Sequence, residues 1–302
     1  MVSILARSSS SWGCNRERRG GKSEQSSPID EIAPLGLPPA AKLRAFHTAA
    51  PTQVMARVID FESEFQKTSS TFLSPEQRHL FFKKLKHVVV IVNTEPKSPG
   101  TSRPTSPLNR SGAGVIVDEN GTMLTSAYLI PDNVQSILVR REVDRDFWEA
   151  RMVTKSPPHD LAIIVPKKVG KYDFATFDTE GLFGIGKEVL SILHVGNLSY
   201  TSVIGQLACQ DHRLFGDMRS SLKLNHDLKL LQINNFHGSP SAPGAPVFNS
   251  SGQVIGLSSF VLNKFDFAVH LTVLKQFYES YQETKRNETG KSYKKRKALS
   301  IA

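Results

Sequence analysis

The 302-residue chain is poor in cysteine: Cys14 and Cys209 are its two thiols, so no disulfide framework can form. No CxxC pair exists for a metal or redox site. Long apolar runs are also missing. The longest purely aliphatic stretch, Val88–Val92, falls far short of the roughly 20 residues that cross a bilayer, so no membrane span is expected. The N-terminus lacks a signal-peptide core, which argues against secretion. There is no HExxH, Walker loop or dinucleotide fingerprint. Gly181, Gly184 and Gly186 have the wrong spacing for a phosphate cradle and read as a turn. Neither a cofactor nor a metal is expected.

What is present suffices for a core. Hydrophobic residues make up 39% and charged residues 22%, which excludes a wholly disordered chain. The length fits one large all-β domain with tails. A net charge of +10 invites a nucleic-acid reading, so its location decides its meaning. Arg7, Arg16, Arg18, Arg19 and Lys22 against Glu17 give residues 1–23 a net +4. Arg286, Lys291, Lys294, Lys295, Arg296 and Lys297 against Glu288 give residues 286–302 a net +5. Only +1 is left for residues 24–285. The basic character belongs to the ends, and the body offers no warrant for a nucleic-acid-binding face.

Residues 1–73 read as a disordered leader. They are rich in Ser and Arg, and Arg44-Ala45-Phe46-His47 resembles the end of a mitochondrial presequence. A mitochondrial or plastid destination follows, with an untargeted extension as the alternative. Ser74-Pro75-Glu76-Gln77 has the pattern of a capping box with proline at the first helical position, and Leu80, Phe81 and Leu85 can form an apolar stripe. A β-branched strand follows at 87–92. Residues 94–112 are read as a Pro/Ser/Thr loop. From Gly114 the chain alternates short strands with turns: 114–117, the Asn120-Gly121 turn, 122–126, 136–139, 161–165, 189–193, 200–207, 228–233, 246–248 and 253–260. Strands without intervening helices predict a sandwich or closed barrel. One late helix is expected, with Leu274, Phe277, Tyr278 and Tyr281 on one face and Thr272 as its cap. The fold class is all-β with short helices near each end, in a domain spanning 74–285. A disordered basic tail is expected at 286–302.

Three segments together carry a resemblance. Gly112–Asp118 with Gly121-Thr122-Met123-Leu124-Thr125-Ser126-Ala127-Tyr128 resembles the first-barrel motif of the Deg/HtrA (Do-like) trypsin-like serine proteases, where T-x-x-H supplies the general base. His159-Asp160-Leu161-Ala162-Ile163 resembles the strand that presents the triad Asp. Pro243-Gly244-Ala245-Pro246-Val247 with Gly252–Leu257 resembles the nucleophile region, S-G-G-P. Gly186–Asn197 and Phe267-Ala268-Val269 echo further family segments, so the match runs from about Leu80 to Tyr281. It implies a chymotrypsin-like fold of two six-stranded β-barrels with a peptide-accommodating cleft between them. Trimerisation is usual in the family, so a homo-oligomer is an expectation. A PDZ domain often follows; here 17 residues follow position 285, so none is expected.

The chemistry of that family needs a hydroxyl nucleophile, an imidazole base, a buried carboxylate and backbone N–H groups for the oxyanion. This chain departs at two of the three positions. The base position holds Tyr128, and a phenol with a reference pKa of about 10 cannot replace an imidazole of about 6.5. The nucleophile position holds Pro243, which has neither hydroxyl nor N–H. Asp160 alone matches. Tyr128 is expected to be a packed aromatic with a wet hydroxyl, and Gly244 to serve a turn that excludes a Cβ. His159 adjoins Asp160, but neighbouring strand side chains face opposite ways, so no Asp–His pair is expected there. Ser239 and Ser241 are the alternative nucleophiles, although Pro246–Gly256 fixes the register against either.

Three functions follow. The leading one is an inactive protease relative holding a peptide or protein partner in the inter-barrel cleft. The second is an active endopeptidase using Ser239 or Ser241. The third is a nuclear, nucleic-acid-associated protein addressed by its basic ends, with Lys294, Lys295, Arg296 and Lys297 as the localisation signal.

Overall fold

The structure, a computed structural model, describes residues 72–96, 110–179, 184–195, 198–213, 222–236 and 242–299. The leader, except for Phe72 and Leu73, lies outside the described residues.

The first element is α1 (Pro75–Leu85), and its capping box forms as the sequence predicts. The Gln77 N–H donates to Ser74 Oγ at 3.2 Å, and Gln77 Oε1 accepts the Ser74 N–H at 2.7 Å. Phe81 and Leu85, four residues apart, are buried, and Phe81 meets Phe248 edge-to-face at 6.4 Å. Leu80 does not join them and is 46% exposed, because it sits about 100° round the helix from Phe81. A buried carboxylate ties this N-terminal segment down. Glu188 accepts from the Leu73 N–H at 2.9 Å and pairs with the Arg78 guanidinium at 2.6 Å.

Two closed six-stranded antiparallel barrels follow. The first comprises β1 (Val89–Pro96), β2 (Arg110–Ile116), β3 (Met123–Thr125), β4 (Val134–Arg141), β5 (Trp148–Ser156) and β6 (Leu161–Pro166), in spatial order β1-β2-β3-β6-β5-β4. The second comprises β7 (Glu188–Val195), β8 (Leu198–His212), β9 (Leu230–Asn234), β10 (Pro246–Phe248), β11 (Val254–Leu262) and β12 (Phe265–His270), in order β10-β11-β12-β9-β8-β7. Closure removes the free edges that an open sheet would expose.

The apolar runs are continuous because both faces of many strands are covered. Val90 and Val92 point into the first barrel with Ile116, Met123 and Leu129. Val89, on the opposite face, joins a shared layer with Leu85, Leu190 and Phe248. β6 divides likewise: Ala162 and Ile164 face the first interior, Leu161 and Ile163 the shared layer. In β7, Val189 faces the second interior while Leu190 and Ile192 face the shared layer. Period-two alternation between two buried faces therefore builds three apolar clusters from one set of strands.

The last helix, α2 (Leu271–Leu299), closes the shared layer. Leu274 is fully buried, and Phe277, Tyr278 and Tyr281 pack beside it on the expected face. The Tyr278 hydroxyl donates to Asp118 Oδ2 at 3.1 Å, and burial pushes that phenol upward.

Several local expectations change. The helix is capped by His270, not Thr272: His270 Nδ1 accepts the Thr272 N–H at 3.1 Å. Helical backbone continues through Leu299, where a disordered tail is expected, because Lys, Arg, Glu and Leu all propagate helix and late cations suit the helix dipole. β5 and β12 were not expected as strands. In β5 only Ala150 is buried, so it has no apolar run to announce it. The loop expected at 94–112 shrinks at both ends, since Thr94–Pro96 belong to β1 and Arg110–Gly112 to β2. Residues 97–109 lie outside the described residues.

Candidate functional site

Asp160 is presented by a tight corner. β5 ends at Ser156, one 3-10 turn spans Pro157–His159, and Asp160 then takes the left-handed conformation at φ 51°. Aspartate tolerates that region better than most residues. The corner swings its carboxylate inward, leaving the residue 7% exposed. Oδ1 accepts from Ser126 Oγ at 2.6 Å and from the Tyr128 N–H at 3.0 Å. Oδ2 accepts a short hydrogen bond from Ser259 Oγ. Burial pushes the carboxyl up, and the hydrogen bonds from Ser126, Ser259 and the Tyr128 and Ala127 backbones only partly offset this. His159 does not pair with Asp160, though not through the strand alternation expected, since it ends the 3-10 turn before β6: Nδ1 meets Ser156 Oγ at 2.8 Å, and Nε2 faces Asn225 Nδ2 at 3.4 Å.

Tyr128 stands mid-turn in a second 3-10 segment, Ala127–Leu129, capped by Ser126, whose hydroxyl accepts the Tyr128 N–H at 3.1 Å. The residue is 59% exposed, contrary to the expectation of a packed aromatic. The Arg110 guanidinium lies 4.5 Å above the ring centroid and also donates to the Tyr128 carbonyl. Tyr128 thus engages the carboxylate through its backbone rather than its side chain.

Pro243 and Gly244 form a turn pressed against the first barrel. The Pro243 carbonyl accepts the Ala113 N–H at 3.0 Å. Gly244 has φ +79°, and a Cβ there would lie 2.2 Å from the Ala113 carbonyl oxygen and 2.6 Å from Thr125 Oγ1. The turn does need a residue without Cβ. Its backbone donors are already used: the Gly244 N–H bonds the Ser258 carbonyl at 2.8 Å, and the Ala245 N–H the Ala242 carbonyl at 3.2 Å. With Pro243 lacking an N–H, residues 243–245 offer no free donor to an oxyanion. Ser239 and Ser241 lie outside the described residues.

Tyr128, Asp160 and the Pro243–Gly244 turn therefore meet where the barrels touch. Ser126 is the hub, joined to Asp160 by its hydroxyl and adjoining Thr125, against which the Gly244 turn packs. Sequence reasoning passed over Ser126, Ser259 and Arg110. Ser126 lies inside the quoted motif, but Ser259 is 99 residues from its carboxylate partner, and no local signal could pair them.

Above this network opens a cavity of about 580 Å³. Its lining includes Asp160, Ser259, Tyr128, Ile130, Pro131 and the Leu222–Leu224 segment. The residue after that segment, Asn225, donates its N–H to the Pro158 carbonyl at 2.7 Å. Lys155 bridges the Ile130 carbonyl at 3.1 Å and the exposed Asp132 carboxylate. Among the described residues no cluster of three His, Cys, Asp or Glu side chains could hold a metal ion, and no helix is long and apolar enough to cross a membrane. Lys294, Lys295, Arg296 and Lys297 fall in the last turns of α2, away from these motifs in the chain.

Comparison with known proteins agrees with the double-barrel fold. Residues 112–257 match the trypsin-like peptidase domain family. Serine protease HTRA1 of Xenopus laevis is 28% identical over 196 residues, covering 63% of this chain and 40% of that protein. Its counterpart in Xenopus tropicalis is 29% identical over the same length. A probable periplasmic serine endoprotease DegP-like from Pseudomonas fulva is 23% identical over 187 residues, 59% of this chain and 36% of the relative. The chain thus spans about two fifths of the length of the curated relatives it matches. Two closed six-stranded barrels, the ordered motifs and these matches make the folded body of this chain a trypsin-like peptidase-type double barrel similar to the Deg/HtrA serine proteases.

Proposed function

We propose that this protein is a catalytically inactive Deg/HtrA-type homologue whose double barrel serves as a peptide- or protein-binding, regulatory scaffold. One observation carries the reading: the Asp160 carboxylate is closed off by Ser126, Ser259 and the Tyr128 N–H, and among the described residues no imidazole bonds it. Acyl transfer needs that carboxylate to orient a base beside a hydroxyl nucleophile. Here the aligned base position is a phenol turned outward under Arg110. The aligned nucleophile position is a proline, and the neighbouring N–H groups are bonded within their own barrel. The cavity persists above these groups, so loss of chemistry leaves room to hold a segment of another protein.

The test pairs a fluorophosphonate activity probe with casein turnover on the full chain. The expected result is no covalent labelling and no turnover above a heat-denatured control. Labelling that disappears in a Ser239→Ala/Ser241→Ala variant sinks the proposal and makes the protein a protease with a displaced nucleophile.

A further inference from the structure

The cavity above Asp160 is asymmetric in charge, and that asymmetry names a ligand. Three cations line it: Arg110, Lys155 and Lys223. Lys155 is neutralised by Asp132. Asp160, the other carboxylate, is buried and fully engaged by hydroxyl and N–H donors. Arg110 has no carboxylate partner among the described residues. It stacks on Tyr128 and spends an N–H on the Tyr128 carbonyl, leaving further guanidinium donors unassigned. Lys223 also lacks an acidic partner among the described residues. It stands in a left-handed turn at φ 55° between Leu222 and Leu224. Interleaved with these cations are apolar walls from Ile130, Pro131, Leu222, Leu224 and Phe260.

We infer that this cleft binds an extended segment of a partner protein carrying an acidic side chain beside an apolar residue. The carboxylate is received between Arg110 and Lys223, and the apolar neighbour packs on Leu222, Leu224 and Phe260. A guanidinium braced on an aromatic ring is preorganised for a carboxylate, since little side-chain freedom remains to be lost on binding. The apolar walls, with Lys155 already paired to Asp132 and two lining cations left, disfavour a polyphosphate, so a nucleic acid is the poorer fit. The inference rests on the scaffold reading above and specifies what the scaffold holds.

The experiment uses two fluorescein-labelled nine-residue peptides, acetylated and amidated at their ends, differing only by Glu or Lys between central leucines. Fluorescence anisotropy with the full chain is expected to show the Glu peptide binding about tenfold more tightly at low salt, with the gap narrowing in about 0.5 M NaCl as exposed charges are screened. Arg110→Glu is expected to abolish or reverse the preference. Because Arg110 belongs to a strand, Lys223→Glu on an exposed turn provides a second variant expected to shift it the same way. Equal affinity for both peptides, no binding of either, or preferences unmoved by both variants overturns the inference. So does displacement of the Glu peptide by a single-stranded oligonucleotide at lower concentration than by unlabelled peptide. Cleavage of the bound peptide would instead strike the scaffold reading, so the two failures are distinguishable.

Discussion

At the scale of single residues, Asp160 is the carboxylate on which the proposed inactive site turns. Its oxygens receive hydroxyls from both barrels, Ser126 from the first and Ser259 from the second. Asp160→Ala strands those hydroxyls and the Tyr128 N–H in a buried place, and is expected to cost about 2–4 kcal/mol in urea unfolding. Asp160→Asn keeps an acceptor and gains a donor for Ser259 while removing a buried charge. The sign of the pH effect follows from the raised carboxyl. Protonation favours the fold, so this group's stabilisation is present below the unfolded value of about 3.9 and vanishes as pH rises through the higher folded value. The Asn variant is therefore expected to match or exceed the parent's stability at neutral pH and to lose relative ground on acidification. Parallel unfolding curves at about pH 4 and pH 7 check this; an Asn variant as damaged as the Ala variant at neutral pH would contradict it. The same closed network bears on catalysis. Restoring Tyr128→His with Pro243→Ser is expected to leave casein turnover at background, because Asp160 is already satisfied and the Gly244 N–H already donates to Ser258.

Elements show where sequence patterns were informative and where they were not. The α1 start was fully legible, since Ser74, Pro75 and Gln77 act on backbone groups within four residues of one another. Ser74→Ala is expected to cost about 1 kcal/mol by removing the cap, read as a lower unfolding midpoint. β1 and β6 announced themselves because both their faces are buried. β5 did not, since Ala150 is its one fully buried residue and only its pairing with β4 and β6 makes it a strand. The end of β12 was hidden differently: His270 reads as an isolated polar residue, yet it finishes the strand and caps α2. Gly244 is the element-scale position most intolerant of change. Gly244→Ala must place its Cβ 2.2 Å from a backbone oxygen at positive φ, and a loss of about 2–4 kcal/mol is expected. A Gly244→Ala protein of parental stability would mean the turn can reseat without its contact to β2.

On the scale of the whole molecule, the barrels are joined by more than apposed surfaces. Ala113 to Pro243 and Asp160 to Ser259 are hydrogen bonds between them, and the shared apolar layer draws residues from both. Cooperative unfolding of both barrels is the expected consequence. With Trp12→Phe to remove the other indole, Trp148 fluorescence reports the first barrel. Its midpoint is expected to coincide with that of far-ultraviolet circular dichroism, and two separated midpoints would show independent barrels. The overall charge of +10 takes on a narrower meaning here. Nine of those charges lie in the two ends, while the body's local asymmetry, Arg110 and Lys223 beside a sequestered Asp160, was invisible in any sum over the chain.

The sequence by itself determined the barrel class, the motif order and the presence of Tyr128 and Pro243 where the resemblance expects His and Ser, because these depend on residue identity and short-range periodicity. Only the tertiary structure decided what those positions now do. That Asp160 is capped by Ser259, that Tyr128 lies under Arg110, and that Gly244 spends its N–H on Ser258 are contacts between residues 14 to 99 apart in the chain. Such contacts come from chain closure and packing, for which no local pattern carries a signal.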